Sequence, residues 1–272
     1  MTVEGKHRDD SPRTDFGLWR DIALVITFLT RLSVPITGHA NRPLASAAWA
    51  FPIAGILTGG VGGSVFYGAV LLGTPLLIAV TLGLAASTLL SGGLHEDGLA
   101  DVTDGFGGGV TREKKLEIMH DSRIGAYGVL ALIFSVVLRI AALVAIAQQA
   151  GMQAVFAVFP AAAVFSRGML PAVMAVLPNA RADGLSKGAG RPGVAGVIIS
   201  LSFGVMGAVL PFHSSYQTVV ISVLGAVGAV FVLCLIAKRQ IGGQTGDVIG
   251  AAQQIGEIAF LVVLSAALGE SL

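Results

Sequence analysis

The sequence predicts an all-α, polytopic integral membrane helical bundle of about six to seven transmembrane helices, preceded by an N-terminal interfacial or re-entrant helix. Three observations predict it. Only 12% of the 272 residues are Asp, Glu, Lys or Arg while 54% are apolar, against roughly a quarter charged in an ordinary soluble domain. The apolar residues are gathered into runs: no Asp, Glu, Lys or Arg occurs from Pro43 through His95, or from Pro192 through Ala237. Each run is long enough for two crossings at about 20 residues apiece. The 37 glycines are about twice the usual share, as expected where small residues let helix backbones touch. Backbone groups in lipid are satisfied only within a helix or a closed barrel, and no alternating strand pattern is present.

Along the chain, residues 1–20 mix Lys6, Arg8, Arg13 and Arg20 with Asp9, Asp10 and Asp15, which suits a polar cytoplasmic head and not a signal peptide. Residues 21–38 carry Arg31 and Pro35 and read as the interfacial or re-entrant helix. Turns marked by Gly, Pro and polar clusters place spans at 45–73, 75–94, 124–147, 153–177, 193–211, 217–237 and 247–269, so that 21–272 forms one membrane-embedded domain. Arg112, Lys114, Lys115 and Arg123 crowd the segment 95–123, Arg181, Lys187 and Arg191 the segment 178–192, and Lys238 with Arg239 follows the sixth span. The turns near Gly73, Gln148 and Pro211 hold no Lys or Arg. The charged connections are therefore expected on the cytoplasmic side and the bare turns outside. A single cysteine, Cys234, excludes a disulfide framework and a cysteine metal cluster. A net charge of +1 supplies no basic field for nucleic acid.

Seven of the sixteen acidic residues lie between Glu96 and Asp121. The run GGLHEDGLADVTDGFGGG, Gly92 to Gly109, sets Asp97, Asp101 and Asp104 at i, i+4 and i+7, one face of a helix. Carboxylates stacked this way repel, and a hard cation such as Mg²⁺ is held by one or two carboxylates plus phosphate oxygens. A solvated acidic helix end is the plainer alternative. The start of the cluster directly at the end of an uncharged run, where bare carboxylates are costly, and the interleaved glycines, among them Gly105, favour the metal. The run EIMHDSRIGAYG, Glu117 to Gly128, adds Asp121, a fourth ligand or a helix cap, and Arg123, a phosphate partner or a membrane anchor. Arg139 and Arg167 lie mid-span; they face a shared polar cavity, or one of them pairs with Glu257. The loop GGQTGDVIGA, Gly242 to Ala251, can wrap a phosphate at a helix N-terminus, with Asp247 as cap or ligand. His95 and His120 are candidates for acid–base chemistry, and His7, His39 and His213 read as bystanders.

Metal-binding carboxylates, phosphate-binding arginines and a cavity in the membrane add up to transfer of a phosphoryl group from a nucleotide-activated donor to an alcohol. The element Asp101-x-x-Asp104-Gly105 resembles the start of the CDP-alcohol phosphotransferase signature, but the Ala-Arg that follows there is missing here. A cation-coupled transporter using Arg139, Arg167 and Glu257 is a weaker rival, because the acids gather at one edge and no inverted repeat is visible.

Four elements make the sequence resemble the cobalamin synthase family, the adenosylcobinamide-GDP ribazoletransferases: FLTRLSVP at Phe28 to Pro35, HEDGLADVTDGFGGG at His95 to Gly109, EIMHDSRIGAYG, and GGQTGDVIGA. The resemblance implies a Mg²⁺-dependent reaction of adenosylcobinamide-GDP with α-ribazole or its 5′-phosphate, releasing GMP, in a bacterial inner membrane with the site facing the cytoplasm. The residues fit that chemistry, with Asp97, Asp101, Asp104 and Asp121 expected on Mg²⁺. Asp104, Asp121 or His95 would orient the acceptor hydroxyl, and Arg123, Arg139, Arg167, Gly105 and Asp247 would serve the phosphates. The partners expected are these two substrates and the lipid bilayer, with no nucleic acid and with a homo-oligomer left open.

Overall fold

In the computed structural model, residues 15–35, 43–181, 188–211 and 216–269 are described. The expectations for His7, His39 and His213 lie outside the described residues, as does the head up to residue 14. Helix α1 (Asp15–Leu29) is followed by a 3-10 turn (Leu44–Ala50) that runs into α2 (Phe51–Leu71). Pro52 in the first turn of α2 costs nothing there, since its missing N–H has no partner to lose. Then come α3 (Leu76–Ser91), α4 (Leu94–Gly108), the short α5 (Arg112–Ile118), α6 (Ala126–Ala150), α7 (Met152–Val176), α8 (Val194–Val209), α9 (Tyr216–Ile241) and α10 (Gly246–Gly269). No strand occurs among the described residues.

Five helical stretches are long and apolar enough to cross a membrane: Leu44–Leu71, α6, α7, α9 and α10. At most a sixth is gained by joining α3 to α4, against the six to seven read from the sequence. The difference lies in α3 and α8, each of 16 residues. The expected span 75–94 ends as a helix at Ser91, where Gly92 and Gly93 both adopt φ of +69°. That left-handed pair, accessible without a Cβ penalty only to glycine, turns α4 by 87° from α3. We therefore treat α4, with its four acids, as lying across the end of the bundle. The boundary expected at residue 20 falls inside α1, whose 15 residues are too few for a crossing.

Glycines hold the bundle together. Gly55, Gly59 and Gly63, one helical turn apart on α2, lie flat on α7: a Cβ on Gly59 would stand 2.5 Å from the Phe159 carbonyl oxygen. Gly62 meets Gly83 on α3, Gly168 meets Gly204 on α8, and Gly98 of α4 meets Gly250 of α10. Backbones this close gain dispersion contacts that bulkier residues would forbid. Gly59→Val is therefore expected to destabilise the protein by about 1–3 kcal/mol or more, read as a lowered melting temperature in detergent. An unchanged melt would contradict this packing.

The charged connections meet at one end. From α5, the Arg112 side chain donates to the Ile241 and Ala180 carbonyls, both at 2.8 Å, and Arg181 donates to the Leu116 carbonyl at 2.7 Å. Gln244 forms a one-residue parallel bridge with Asn179. These bonds satisfy carbonyls at helix ends, and at Ala180 in the connection after α7, that would otherwise lack donors.

Candidate active site

Helix α4, which bears the acidic run, is fixed by its surroundings from three sides. Its Gly98 seats on α10 against the Asp247 carbonyl, which brings the GGQTGDVIGA loop beside the acidic run. At its other end both carboxylate oxygens of buried Asp104 accept backbone N–H groups of α6, from Gly125 at 2.7 Å and Gly128 at 2.9 Å. Those are the N-cap and third helical positions of α6, so Asp104 caps that helix from another part of the chain. A Cβ at Gly125 or Gly128 would collide with the carboxylate, which explains the glycines of the third motif. On the third side, Arg31 donates its backbone N–H to the Leu90 carbonyl at 2.7 Å, and its guanidinium covers Gly92.

Two cavities open around this arrangement. The larger, of about 680 Å³, is lined by Thr27, Arg31, Ser91, Glu96, Asp97 and Ile124 among others. A smaller one, of about 180 Å³, lies between α4, α7 and the start of α10, and includes His95, Asp97 and Asp247 in its wall. Asp97 lines both. The first, second and fourth motifs and Ile124 of the third thus converge on one place.

The predicted site residues separate into groups. Asp97 and Asp101 stand one turn apart on α4, Asp97 exposed and Asp101 half-buried. Burial first, then the charges of Asp97, Asp247 and Asp104, push the Asp101 carboxyl up to about 7. Asp247 faces the same space and accepts a 3.1 Å bond from the Thr245 hydroxyl. Asp121 and Arg123 pair with each other at the surface, and that pairing holds the Asp121 carboxyl down at about 2. Gly105 packs against Met119 and the Lys115 carbonyl, and His120 is exposed. His95 is 2% exposed, and neither of its ring nitrogens has a hydrogen-bond partner among the described residues. Losing the carboxylate in Asp104→Ala leaves two N–H groups of α6 without acceptors, at an expected cost of about 1–3 kcal/mol, measurable by chemical or thermal unfolding in detergent.

Arg139 and Arg167 do not reach an open surface. Arg139 lies 3.3 Å from Glu96 and 3.5 Å from Glu257, and Arg167 lies 3.9 Å from Glu257. Gln253 donates to Glu257 at 2.6 Å, while Gln254 and Thr88 both donate to Glu96 at 3.2 Å. The Ser135 hydroxyl donates to the side-chain Oε1 of Gln254 at 3.0 Å. Two guanidinium groups and two carboxylates balance inside this network, which ties five helices together. Of the two readings of these arginines, pairing with Glu257 is the one the geometry displays, with Glu96 as a second acid. Sequence reasoning missed Gln253, Gln254, Arg112 and Arg181; an adjacent Gln pair within an apolar span was the available signal.

Among the described residues, no three His, Cys, Asp or Glu side chains stand close enough to enclose a metal ion on their own. The four carboxylates expected on one Mg²⁺ are therefore not gathered here: Asp104 is committed to the N–H groups of α6 and Asp121 to Arg123, which leaves Asp97 and Asp101. Arg181 opposes the charge crowding at Asp101.

The model of the cobalamin-5-phosphate synthase family matches residues 21–265. An adenosylcobinamide-GDP ribazoletransferase of Mesorhizobium japonicum is 46% identical, the match covering 91% of this chain and 93% of that protein. Proteins of the same name from Bradyrhizobium diazoefficiens and Azorhizobium caulinodans are 44% and 43% identical, over 90% and 89% of this chain and 93% and 94% of theirs. No solved structure matches. With a family match that takes in all four motifs and every acid of the α4 cluster, the chain belongs to the cobalamin-5-phosphate synthase family.

Proposed function

We propose that this protein transfers the cobinamide-phosphate part of adenosylcobinamide-GDP to a ribose hydroxyl of α-ribazole or of its 5′-phosphate. The products are adenosylcobalamin, or its 5′-phosphate, and GMP, formed at the cytoplasmic end of a bacterial inner membrane. The observation that carries the reading is the position of Asp97, in the wall of both the larger cavity and the smaller one, with Asp101 one turn away. Two substrates entering from different sides would bring their reacting ends together at this carboxylate pair.

In this reading Asp97 and Asp101 hold Mg²⁺ together with the donor diphosphate. The chemistry Mg²⁺ supplies when bound is neutralisation of charge on the diphosphate and on the departing GMP. Arg31, in the wall of the larger cavity, and Arg123, beside the lining residue Ile124, are the cations for the phosphates. Arg139 and Arg167 act at one remove: Arg139 holds Glu96, and with it the register of α4, while Arg167 pairs with the Glu257 that Arg139 shares. The acceptor oxygen bonds to the phosphorus that carries cobinamide, the bond from that phosphorus to the GMP oxygen breaks, and GMP leaves with the electron pair. The hydroxyl proton passes to a base. Among the three residues expected for that role, His95 lines the smaller cavity, whereas Asp104 holds α6 and Asp121 holds Arg123. Positioning and electrostatics carry most of such a transfer.

Product analysis separates this reading from its nearest rival. Protein purified in detergent is expected to yield GMP and a corrinoid with a closed nucleotide loop, and no CMP from CDP-linked alcohols. CMP from CDP-linked donors, with no GMP, would return the CDP-alcohol reading.

A further inference from the structure

We propose that the smaller cavity is the subsite for the aromatic base of the acceptor, and that the larger cavity takes the phosphate end of the donor. This rests on the transfer reading above and adds to it a division of the site between the two substrates. At about 180 Å³ the smaller cavity has the size of one bicyclic ring system and excludes a corrinoid. Its wall is largely apolar, built by Phe28, Leu44, Phe51, Leu170 and Met174, and its polar groups are His95, Asp97 and Asp247. A nucleoside with an apolar heterocycle has the same division, a flat hydrophobic ring joined to a sugar whose hydroxyls can donate to carboxylates and to an imidazole nitrogen. Among the glycines of the wall, Gly246 has open space where a Cβ would stand and leaves backbone against which a flat ring can lie. Met174 brings a polarizable thioether suited to an aromatic face.

The same wall disfavours the donor. A diphosphate in this cavity would be stripped of water among Leu, Phe and Met side chains and set beside two carboxylates. The larger cavity is also lined by two carboxylates, Glu96 and Asp97, but it adds the Arg31 guanidinium and the hydroxyls of Thr27, Thr30 and Ser91. His95, buried and without a hydrogen-bond partner among the described residues, is a polar group in the wall of the smaller cavity that an acceptor hydroxyl or ring nitrogen would satisfy.

Steady-state kinetics on two variants test this. Ala189 lines the smaller cavity and is only half-buried, so Ala189→Phe fills the space from its edge. The expected result is a KM for α-ribazole raised about tenfold or more, with the KM for adenosylcobinamide-GDP changed less than about twofold. Met174→Ala enlarges the pocket, and the ratio of kcat/KM values should move about tenfold toward acceptors whose base is bulkier than that of α-ribazole. An acceptor KM that stays put in Ala189→Phe, a donor KM that rises in its place, equal loss of both, or an unaltered ranking of bases in Met174→Ala would each overturn the subsite. Wild-type protein that releases no GMP would instead overturn the transfer reading beneath it, so the two failures are distinguishable.

Discussion

Asp101→Asn is expected to lower kcat by at least about a hundredfold while leaving the protein as stable as before, or more stable. The two halves of that expectation come from one fact. Asp101 shares its surroundings with Asp97, Asp247 and Asp104, and burial together with those charges raises its carboxyl from 3.8 to about 7. An acid whose folded-state pKa is raised above its unfolded value loses stability as pH climbs from the unfolded value to the folded one. The wild-type protein therefore carries a repulsion above about pH 7 that the amide does not. The gap in stability between variant and wild type should open between pH 4 and 7 and stay level beyond. Activity moves the other way, because the amide is a poor ligand for a hard cation. Turnover within tenfold of wild type would remove Asp101 from the metal site; a collapse of stability would make it structural.

The largest effect on stability is expected at Glu257. Its side chain is 13% exposed and faces both Arg139 and Arg167. Glu257→Gln leaves two buried guanidinium groups to share Glu96, and breaking a buried pair from one side costs about 3–5 kcal/mol. That is enough to prevent assembly of a marginally stable protein. Removing a positive charge at the same time restores the balance, so Glu257→Gln combined with Arg167→Gln is expected to recover most of the loss. Thermal unfolding in detergent of both single variants and the double variant measures the coupling. Additive losses would mean that the residues do not act as a unit.

Much of the fold is written in the spacing of apolar and charged residues. Spans placed from turn residues alone agree with the 3-10 turn plus α2 (Leu44–Leu71) and with α6, α7, α8, α9 and α10 to within about four residues at each end. The corner at Gly92 and Gly93 was less legible. Two glycines mark a turn but not its angle, and the 87° between α3 and α4 comes from α4 being held to α10 through Gly98 and to α6 through Asp104. The Asp104 cap was invisible for a related reason. Capping is read from sequence when cap and helix are adjacent, whereas Gly125 lies 21 residues from its acceptor. Asp97, Asp101 and Asp104 do share a helix face as their spacing requires, yet the third is committed to α6. The buried network lay halfway: the intramembrane charges were plain, but which acid meets which arginine depends on how five helices rotate against each other. Small-residue packing sets those rotations, with Gly55, Gly59 and Gly63 against α7, and no periodicity in charge records them.

The most direct test of the central claim is GMP release by purified, detergent-solubilised protein given adenosylcobinamide-GDP, with α-ribazole and Mg²⁺ each present or omitted. The account predicts release only when both are present. Release without the acceptor would point to hydrolysis of the donor, and release without Mg²⁺ would contradict the role given to Asp97 and Asp101. No release under any condition, from protein shown to be folded, would contradict the transfer itself.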